Sequence, residues 1–495
     1  MIAKIYPDGH PDLQGKKDPT HPVRYFDIRK LTPVECYSLM GVPPPQIEML
    51  MKTEKKPYMA WVGVDAELAV FGLEPSSTRK EVDEAYEDSV RSLTEIQMTE
   101  GGEDLEEVTF EVPGVDKERA LMVENYSLAY EKIKAAKQEQ RYGAVQIISN
   151  SNHYKLAGNS IVCDVLMYIY EELMYPTNRR LPQEQADLFA LPQFRLTRDW
   201  KKEPLKLVTL CSGYDSQAIA MDMLQQRYPD FRWQLVAWSE FDPDSNRPLA
   251  EQPAVVAHNL LFPQYKDLNR GDMTKADWSD LADAEIDLLT YSTPCQSISQ
   301  AGKREGIKKG SGTRSAVLWS TEEAVRHMRP KVLLQENVRA LINSVNMPDF
   351  REWCNLLESH GYVNFLAPSF PTPWGSDKRD KKTVPGILNA KHYGVPQNRE
   401  RVYMVSIRAD LLGGSERVAG EYSPATQYEF PRPFPLDKCI ADILEENVSE
   451  RFFLKPDSVI KFLTANESDN TSQIFYVVTD HKLSDEEIAR ARSGK

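Results

Sequence analysis

Cysteine is scarce in this chain. Six residues are spread over 495 positions (Cys36, Cys163, Cys211, Cys295, Cys354 and Cys439), and no two of them form a C-x-x-C pair. That excludes a zinc ribbon and argues against a disulfide framework, so free thiols in a reducing compartment are expected, with no metal. There is no run of about 18 apolar residues, which leaves no candidate membrane span. Residues Met1 to Pro7 hold no apolar h-region, so no signal peptide is expected, and a reducing cytoplasm is the expected location. An excess of positive charge is missing too: the formal net charge is −14. Hydrophobic residues at 41% and charged residues at 27% still leave material for a sizeable core. At about 150 residues per domain, roughly three compact parts are expected.

A net negative chain argues against a nucleic-acid partner until the charge is placed. Residues 57–147 hold 20 acidic and 9 basic residues, so this block carries −11 and the rest of the chain only −3. The block reads as an inserted helical module. Ser77-Thr78-Arg79-Lys80-Glu81 opens one helix through Leu93, and a second spans 118–140, with an acidic loop at Gly101 to Asp104 between them. The spacing of Leu73, Val82, Tyr86 and Val90 resembles a J-domain-like helix pair, but no His-Pro-Asp stands between the helices. A solvated acidic insert is the plainer reading. Upstream, Thr32-Pro33-Val34-Glu35 has an N-cap threonine, a proline at N1 and a glutamate at N3, which predicts a helix to Met40 ended by Gly41. Ile161, Val162, Val165, Leu166, Ile169, Tyr170 and Leu173 recur at helical spacing.

From Leu205 the pattern alternates between strand and helix. Apolar runs at 206–210, 234–238, 286–291, 331–335 and 401–407 read as strands buried on both faces, which predicts a doubly wound α/β sheet. Ligands in such sheets bind at the carboxyl ends of the strands. The first run is followed by Cys211-Ser212-Gly213-Tyr214-Asp215, a short polar turn entering a helix over 217–226. Glu240 ends the second run, where an acid can hold a ribose diol. Asp272 precedes the next helix and could accept from an adenine amino group. Each alone is ordinary; together they point to a nucleoside-containing cofactor. The third run is followed by Ser292-Thr293-Pro294-Cys295-Gln296, then by Ser299 and a loop with Lys303, Arg304, Lys308, Lys309 and Arg314 interleaved with glycines. A strand-end cysteine beside cations is where a depressed thiol pKa is expected, and the loop suits a phosphate backbone. Glu336-Asn337-Val338 ends the fourth run. Around the start of the fifth, Gln397, Arg399 and Arg401 alternate, so the arginines point the same way and can pair with Glu336 or with a substrate carbonyl.

This set resembles the DNA cytosine-5 methyltransferases. Pro294-Cys295-Gln296 resembles their catalytic motif, Glu336-Asn337-Val338 their ENV motif, and Gln397-x-Arg399-x-Arg401 their QxRxR motif. Arg29-Lys30-Leu31-Thr32-Pro33-x-Glu35 with Gly41 resembles the ninth motif and Tyr154-Lys155-x-Ala157-Gly158-Asn159-Ser160 the tenth. Both stand ahead of the cofactor motif rather than near the C-terminus, which implies circular permutation with the new termini inside the target-recognition region. The cofactor turn departs from the family's pattern, because Asp215 replaces its second glycine.

The resemblance implies a Rossmann-like S-adenosylmethionine-dependent fold with a small recognition region and an acidic helical insert. The parts it implies are an N-terminal segment (1–56), the insert (57–147), a catalytic domain (148–410) and a C-terminal recognition region (411–495). It implies that the Cys295 thiolate adds to C6 of a flipped cytosine, making C5 nucleophilic toward the methyl group of S-adenosylmethionine. Glu336 would serve N3, Arg399 O2, and Arg401 would support Glu336. Ser212, Gly213, Glu240, Asp272, Pro294, Asn159 and Ser160 would form the cofactor site. Gln296, Ser299, Lys303, Arg304 and Gln397 would touch double-stranded DNA. Lys378 to Lys382 is a further basic loop. An RNA cytosine methyltransferase and a non-catalytic DNA-binding relative remain open alternatives. The acidic insert is expected to project away from DNA, with a protein partner or passive insertion as its two readings.

Overall fold

The structure, a computed structural model, describes residues 2–6, 25–73, 75–94, 115–176, 192–295, 306–310, 314–370, 383–416, 422–453 and 476–479. The chain divides into two compact units rather than three parts. One comprises 32–51 and 148–445; the other comprises 1–31, 52–147 and 446–493. The boundaries differ from the expected ones. Residues 52–147 group with both ends of the chain, and 411–445 group with 148–410.

The catalytic unit is built on a seven-stranded sheet. Its strands are β1 (Leu205–Leu210), β2 (Trp233–Ser239), β3 (Leu288–Tyr291), β4 (Val332–Val338), β5 (Tyr362–Leu366), β6 (Ile387–Asn389) and β7 (Glu400–Arg408). The order is β6-β7-β4-β3-β1-β2, with β5 also paired to β7. β2, β1, β3 and β4 are mutually parallel, while β7 runs antiparallel to β4, β5 and β6. All four residues of β3 and the first six of β4 are buried, so these runs carry no polar alternation and read as continuous apolar sequence. One large apolar cluster joins Leu210, Leu289, Tyr291, Leu333, Val402 and Met404 of the sheet to Trp319, Phe350 and Trp353. At about 25 cal/mol per Å² of apolar surface, such burial is the main favourable term for this unit.

The predicted helix at 33 is α1 (Pro33–Leu39). Its capping box is complete: Thr32 Oγ1 accepts from Glu35 N at 3.2 Å, and Glu35 Oε2 accepts from Thr32 N at 2.8 Å. Glu35 is fully buried, and its other oxygen accepts from Glu445 N at 2.9 Å. Thr32 Oγ1 in turn donates to the Glu445 carboxylate. After α1 the chain turns through Gly41 at φ +69°. The helical reading of 161–174 corresponds to α2 (Cys163–Met174), preceded by a shorter helix, Asn150–Asn159. Cys163 N donates to Met40 O at 2.9 Å, docking the start of α2 on the end of α1.

Gly41 is tightly constrained. A Cβ there would lie 1.9 Å from Asp164 Oδ2, and the left-handed backbone penalises any L side chain. The half-buried Asp164 carboxyl would have to move aside; burial pushes it up to about 6, only partly opposed by Lys438. Gly41→Ala is therefore expected to destabilise the catalytic unit by roughly 2–4 kcal/mol, read as a lower melting temperature.

The second unit holds a two-stranded antiparallel ladder, Thr53–Trp61 against Gln138–Gln146. Around it stand helices Asp65–Val70, Arg79–Thr94 and Val115–Ala135. The insert is therefore not purely helical. The helix expected over 118–140 stops at 135 because the next residues pair as a strand. Trp61, Val64, Leu68, Phe71, Val82, Ala129 and Ile133 form its core, and Tyr86 stacks on Tyr130 at 4.0 Å. The loop at Gly101 to Asp104 lies outside the described residues. A separate three-stranded sheet pairs Ile2–Tyr6 with Tyr25–Arg29 and with Tyr476–Thr479, bringing the N-terminal and C-terminal segments together.

Candidate active site

The strand ends gather most of the described candidate residues. β3 and β4 are parallel neighbours, with Tyr291 opposite Gln335, so the segments after Tyr291 and around Glu336 share one edge. Glu336 is buried. Its Oε2 accepts from Ser292 Oγ at 2.7 Å, and its Oε1 forms an ion pair with Arg401, 3.1 Å from Nε. Asn337 Nδ2 donates to Thr293 O at 3.1 Å and so ties the Pro294-Cys295 segment to β4. Pro294 and Cys295 are half-buried.

The electrostatics of Cys295 depart from expectation. Burial pushes the thiol above its ordinary value, and the Glu336 carboxylate adds to the rise. Arg401 and Arg399 pull in the opposite direction without cancelling it. The anticipated depressed thiol is therefore absent, chiefly because burial disfavours the thiolate, with the Glu336 carboxylate adding to the rise. The two arginines also divide their tasks. Arg401 holds Glu336, whereas Arg399 Nη2 donates to Gly158 O at 2.9 Å and Ser160 O at 2.7 Å. Arg399 Nε is buried with no hydrogen-bond partner among the described residues, as is Gln397 Oε1.

The cofactor candidates cluster at the ends of β1 and β2. Gly213 takes φ +60°, and a Cβ there would meet nothing within 4 Å, so its outer face is open. Its N–H donates to Glu240 Oε2 at 2.7 Å. Burial pushes the Glu240 carboxyl up to about 7, against that hydrogen bond. Ser212 faces inward: its N–H donates to Ser239 O, and its hydroxyl lies within hydrogen-bonding distance of Thr209 O and Ser239 O. It shapes the turn rather than offering a side chain. Asp272 Oδ1 accepts from Thr274 N and Oγ1, and Oδ2 lies 3.2 Å from Lys275 Nζ. Burial raises its carboxyl, but these bonds outweigh it and hold it below the ordinary value. Asn159 is exposed at the end of its helix and Ser160 is half-buried beside it. An open-faced glycine beside a half-buried acid fits a nucleoside cofactor. Phe241, exposed and directly after Glu240, escaped the sequence reading; its only signal is an unburied aromatic beside a candidate ribose acid. Gln296, Ser299, Lys303 and Arg304 lie outside the described residues, as does the loop at Lys378 to Lys382.

A sheet with these strand ends, read with the comparisons, is an α/β fold of the S-adenosylmethionine-dependent methyltransferase class. The family model for C-5 cytosine-specific DNA methylases matches residues 206–492, more than half of the chain. The chain belongs to the C-5 cytosine-specific DNA methylase family. It is 37% identical over 191 residues to the type II methyltransferase M2.ScrFI of Lactococcus lactis subsp. cremoris, covering 39% of this chain and 43% of that one. It is 35% identical over 173 residues to the orphan methyltransferase M.SssI of Spiroplasma monobiae, covering 34% and 36%. The type II methyltransferase M.HpaII of Haemophilus parainfluenzae is 30% identical over 222 residues, covering 44% and 52%. The chain thus spans about half or less of the length of these relatives. Among the described residues, no helix is long and apolar enough to cross a membrane.

Proposed function

We propose that this protein methylates C5 of cytosine in double-stranded DNA with S-adenosylmethionine, through a covalent bond between Cys295 and C6 of a flipped base. The convergence of Cys295, Glu336 and Arg401 on one edge of the sheet carries this reading. S-Adenosylmethionine supplies the methyl group. Gly213 and Glu240 would hold it, with Phe241 against its base and Asp272 at the rim.

The raised thiol gives Glu336 a definite task. Cys295 is mostly protonated, because burial and the Glu336 carboxylate together outweigh the pull of Arg401 and Arg399. A cytosine whose N3 meets that carboxylate would withdraw the negative charge from the thiol and favour its ionisation. The thiolate then adds to C6, electron density moves to C5, and loss of the C5 proton after transfer expels the sulfur and restores the ring. Arg401 keeps Glu336 aimed at N3. Arg399, with one free donor at Nε, is placed by its bonds to Gly158 and Ser160 to polarise O2.

The same reading makes the chain circularly permuted. Glu445, where the catalytic unit ends, hydrogen-bonds the first turn of α1, so the chain leaves at 445 and re-enters at 32 at one place. Tyr37 of α1 hydrogen-bonds His153 at 3.0 Å and meets Tyr214 of the cofactor turn edge-on at 5.4 Å. These contacts support the ninth-like and tenth-like segments as parts of one cofactor pocket. Residues 1–28 and 446–495 then form the target-recognition region.

Transfer of tritiated methyl to duplex DNA but not to RNA is the expected result. Transfer to RNA alone would favour the other nucleic-acid reading, and transfer to neither would favour a non-catalytic relative. The acidic insert supplies no residue of the cluster, and we assign it to protein contacts or passive insertion. Its ends meet, since Ile147 N donates to Lys52 O at 3.2 Å. Replacement of 54–145 by a short Gly/Ser linker is therefore expected to leave methylation of the cognate site within about twofold, since sites with no shared partners contribute additively. Loss of sequence specificity with folding intact would place the insert in target recognition.

A further inference from the structure

Asp215 is an unusual occupant of its position. Its backbone is left-handed, at φ 68° and ψ 57°, a conformation that costs glycine nothing and strains most other residues. Its side chain is fully buried and engaged at both oxygens. Oδ1 accepts from Ala218 N at 3.1 Å and caps the helix Ser216–Arg227, while Oδ2 accepts from Thr209 Oγ1 at 2.9 Å. Thr209 Oγ1 lies 2.9 Å from Ser212 Oγ, so the network reaches back under the turn that carries Gly213.

The remaining neighbour is His258, from the helix Pro253–Leu261. Its Nε2 lies 3.4 Å from Asp215 Oδ2, and both side chains are fully buried. The imidazole stacks on Trp238 of β2 at 3.6 Å and 13°. Neither ring nitrogen has an aligned hydrogen bond among the described residues. A buried imidazole so placed is costly as packing material alone. Its one polar neighbour at ion-pair distance among the described residues is the Asp215 carboxylate, whose Oδ2 also accepts from Thr209 Oγ1.

We propose that Asp215 and His258 form a buried positioning pair that holds the Ser212–Gly213 turn in its cofactor-accepting shape, His258 matching the carboxylate that stands where the backbone favours glycine. The pair touches the cofactor only through the turn. It rests on the assignment of that turn to S-adenosylmethionine, but the pair itself can be tested without ligand.

The decisive variants are His258→Phe, which keeps the stack on Trp238, and the double variant Asp215→Gly/His258→Phe. His258→Phe leaves a buried carboxylate unmatched. It is expected to raise the dissociation constant of S-adenosylmethionine about tenfold by calorimetry and to raise KM for the cofactor similarly, with kcat at saturation changed far less. In the protein without ligand, the Gly213–Ala218 amides should exchange hydrogen faster. The added Asp215→Gly change removes the unmatched charge and suits the left-handed backbone, so it should restore both readouts to within about threefold of wild type. A purely structural histidine would show no such rescue. His258→Phe with wild-type exchange and affinity, or a double variant worse than the single one, overturns the pair. If His258→Phe does not fold, His258→Gln and Asp215→Asn carry the same comparison. If the wild-type protein binds no S-adenosylmethionine while the exchange results hold, the cofactor assignment fails and the pair stands.

Discussion

Cys295→Ser is expected to abolish methyl transfer, with at least about a thousandfold loss, because a serine hydroxyl is not appreciably ionised and adds poorly to an electron-poor ring carbon. The prediction separates chemistry from folding. Cys295 is half-buried and packs only at the margin of the large apolar cluster, so exchanging sulfur for oxygen should cost about 1 kcal/mol or less in stability. Cofactor affinity should be unchanged, because the Gly213 turn sits at the end of another strand. A duplex bearing 5-fluorocytosine should trap a covalent adduct with the wild type, since fluorine at C5 cannot leave as a proton does. No adduct should form with the serine variant. Turnover within tenfold of wild type would remove Cys295 from the mechanism.

Much of the catalytic unit was legible because its strands are buried on both faces, and such runs announce themselves by continuous apolar composition. The capping box at Thr32 was legible for a local reason: two side chains three residues apart complete each other's hydrogen bonds. What escaped depends on partners distant in sequence. Thr53–Trp61 is exposed along most of its length and rich in lysine and glutamate, so nothing in its composition marks a strand; pairing with Gln138–Gln146 defines it. β5 is a short edge strand of mixed burial, and β6 is a buried run of only three residues. Asp215 read as a departure from a glycine turn, yet the structure gives it the glycine's backbone and adds a helix cap and a buried neighbour, His258, forty-three residues on. Residue type alone placed both arginines beside Glu336. Only the fold shows Arg399 diverted to the carbonyls of Gly158 and Ser160, from a segment far upstream. The direction of the thiol shift was misread for the same reason: counting nearby cations ignores burial and the acid on the neighbouring strand.

Glu336→Gln should separate two consequences of one charge. The carboxylate contributes to the rise in the Cys295 pKa, so removing it should lower that pKa, since the pull of Arg401 and Arg399 would remain. Iodoacetamide should therefore alkylate Cys295 faster in the variant at neutral pH; a fall of about one unit would raise the thiolate fraction about tenfold below both values. Methyl transfer should move the other way, falling by roughly a hundredfold to ten-thousandfold, because the amide cannot exchange a proton with N3 as the base is attacked. Glutamine is close in size to glutamate; its amide oxygen can face Arg401 Nε while its N–H donates to Ser292 Oγ, so folding should hold. Opposite movements of thiol reactivity and turnover are the signature of a group that suppresses the nucleophile until the base arrives. If alkylation slowed along with methylation, the effect of Glu336 would be structural, and the coupling between N3 and the thiol would be wrong.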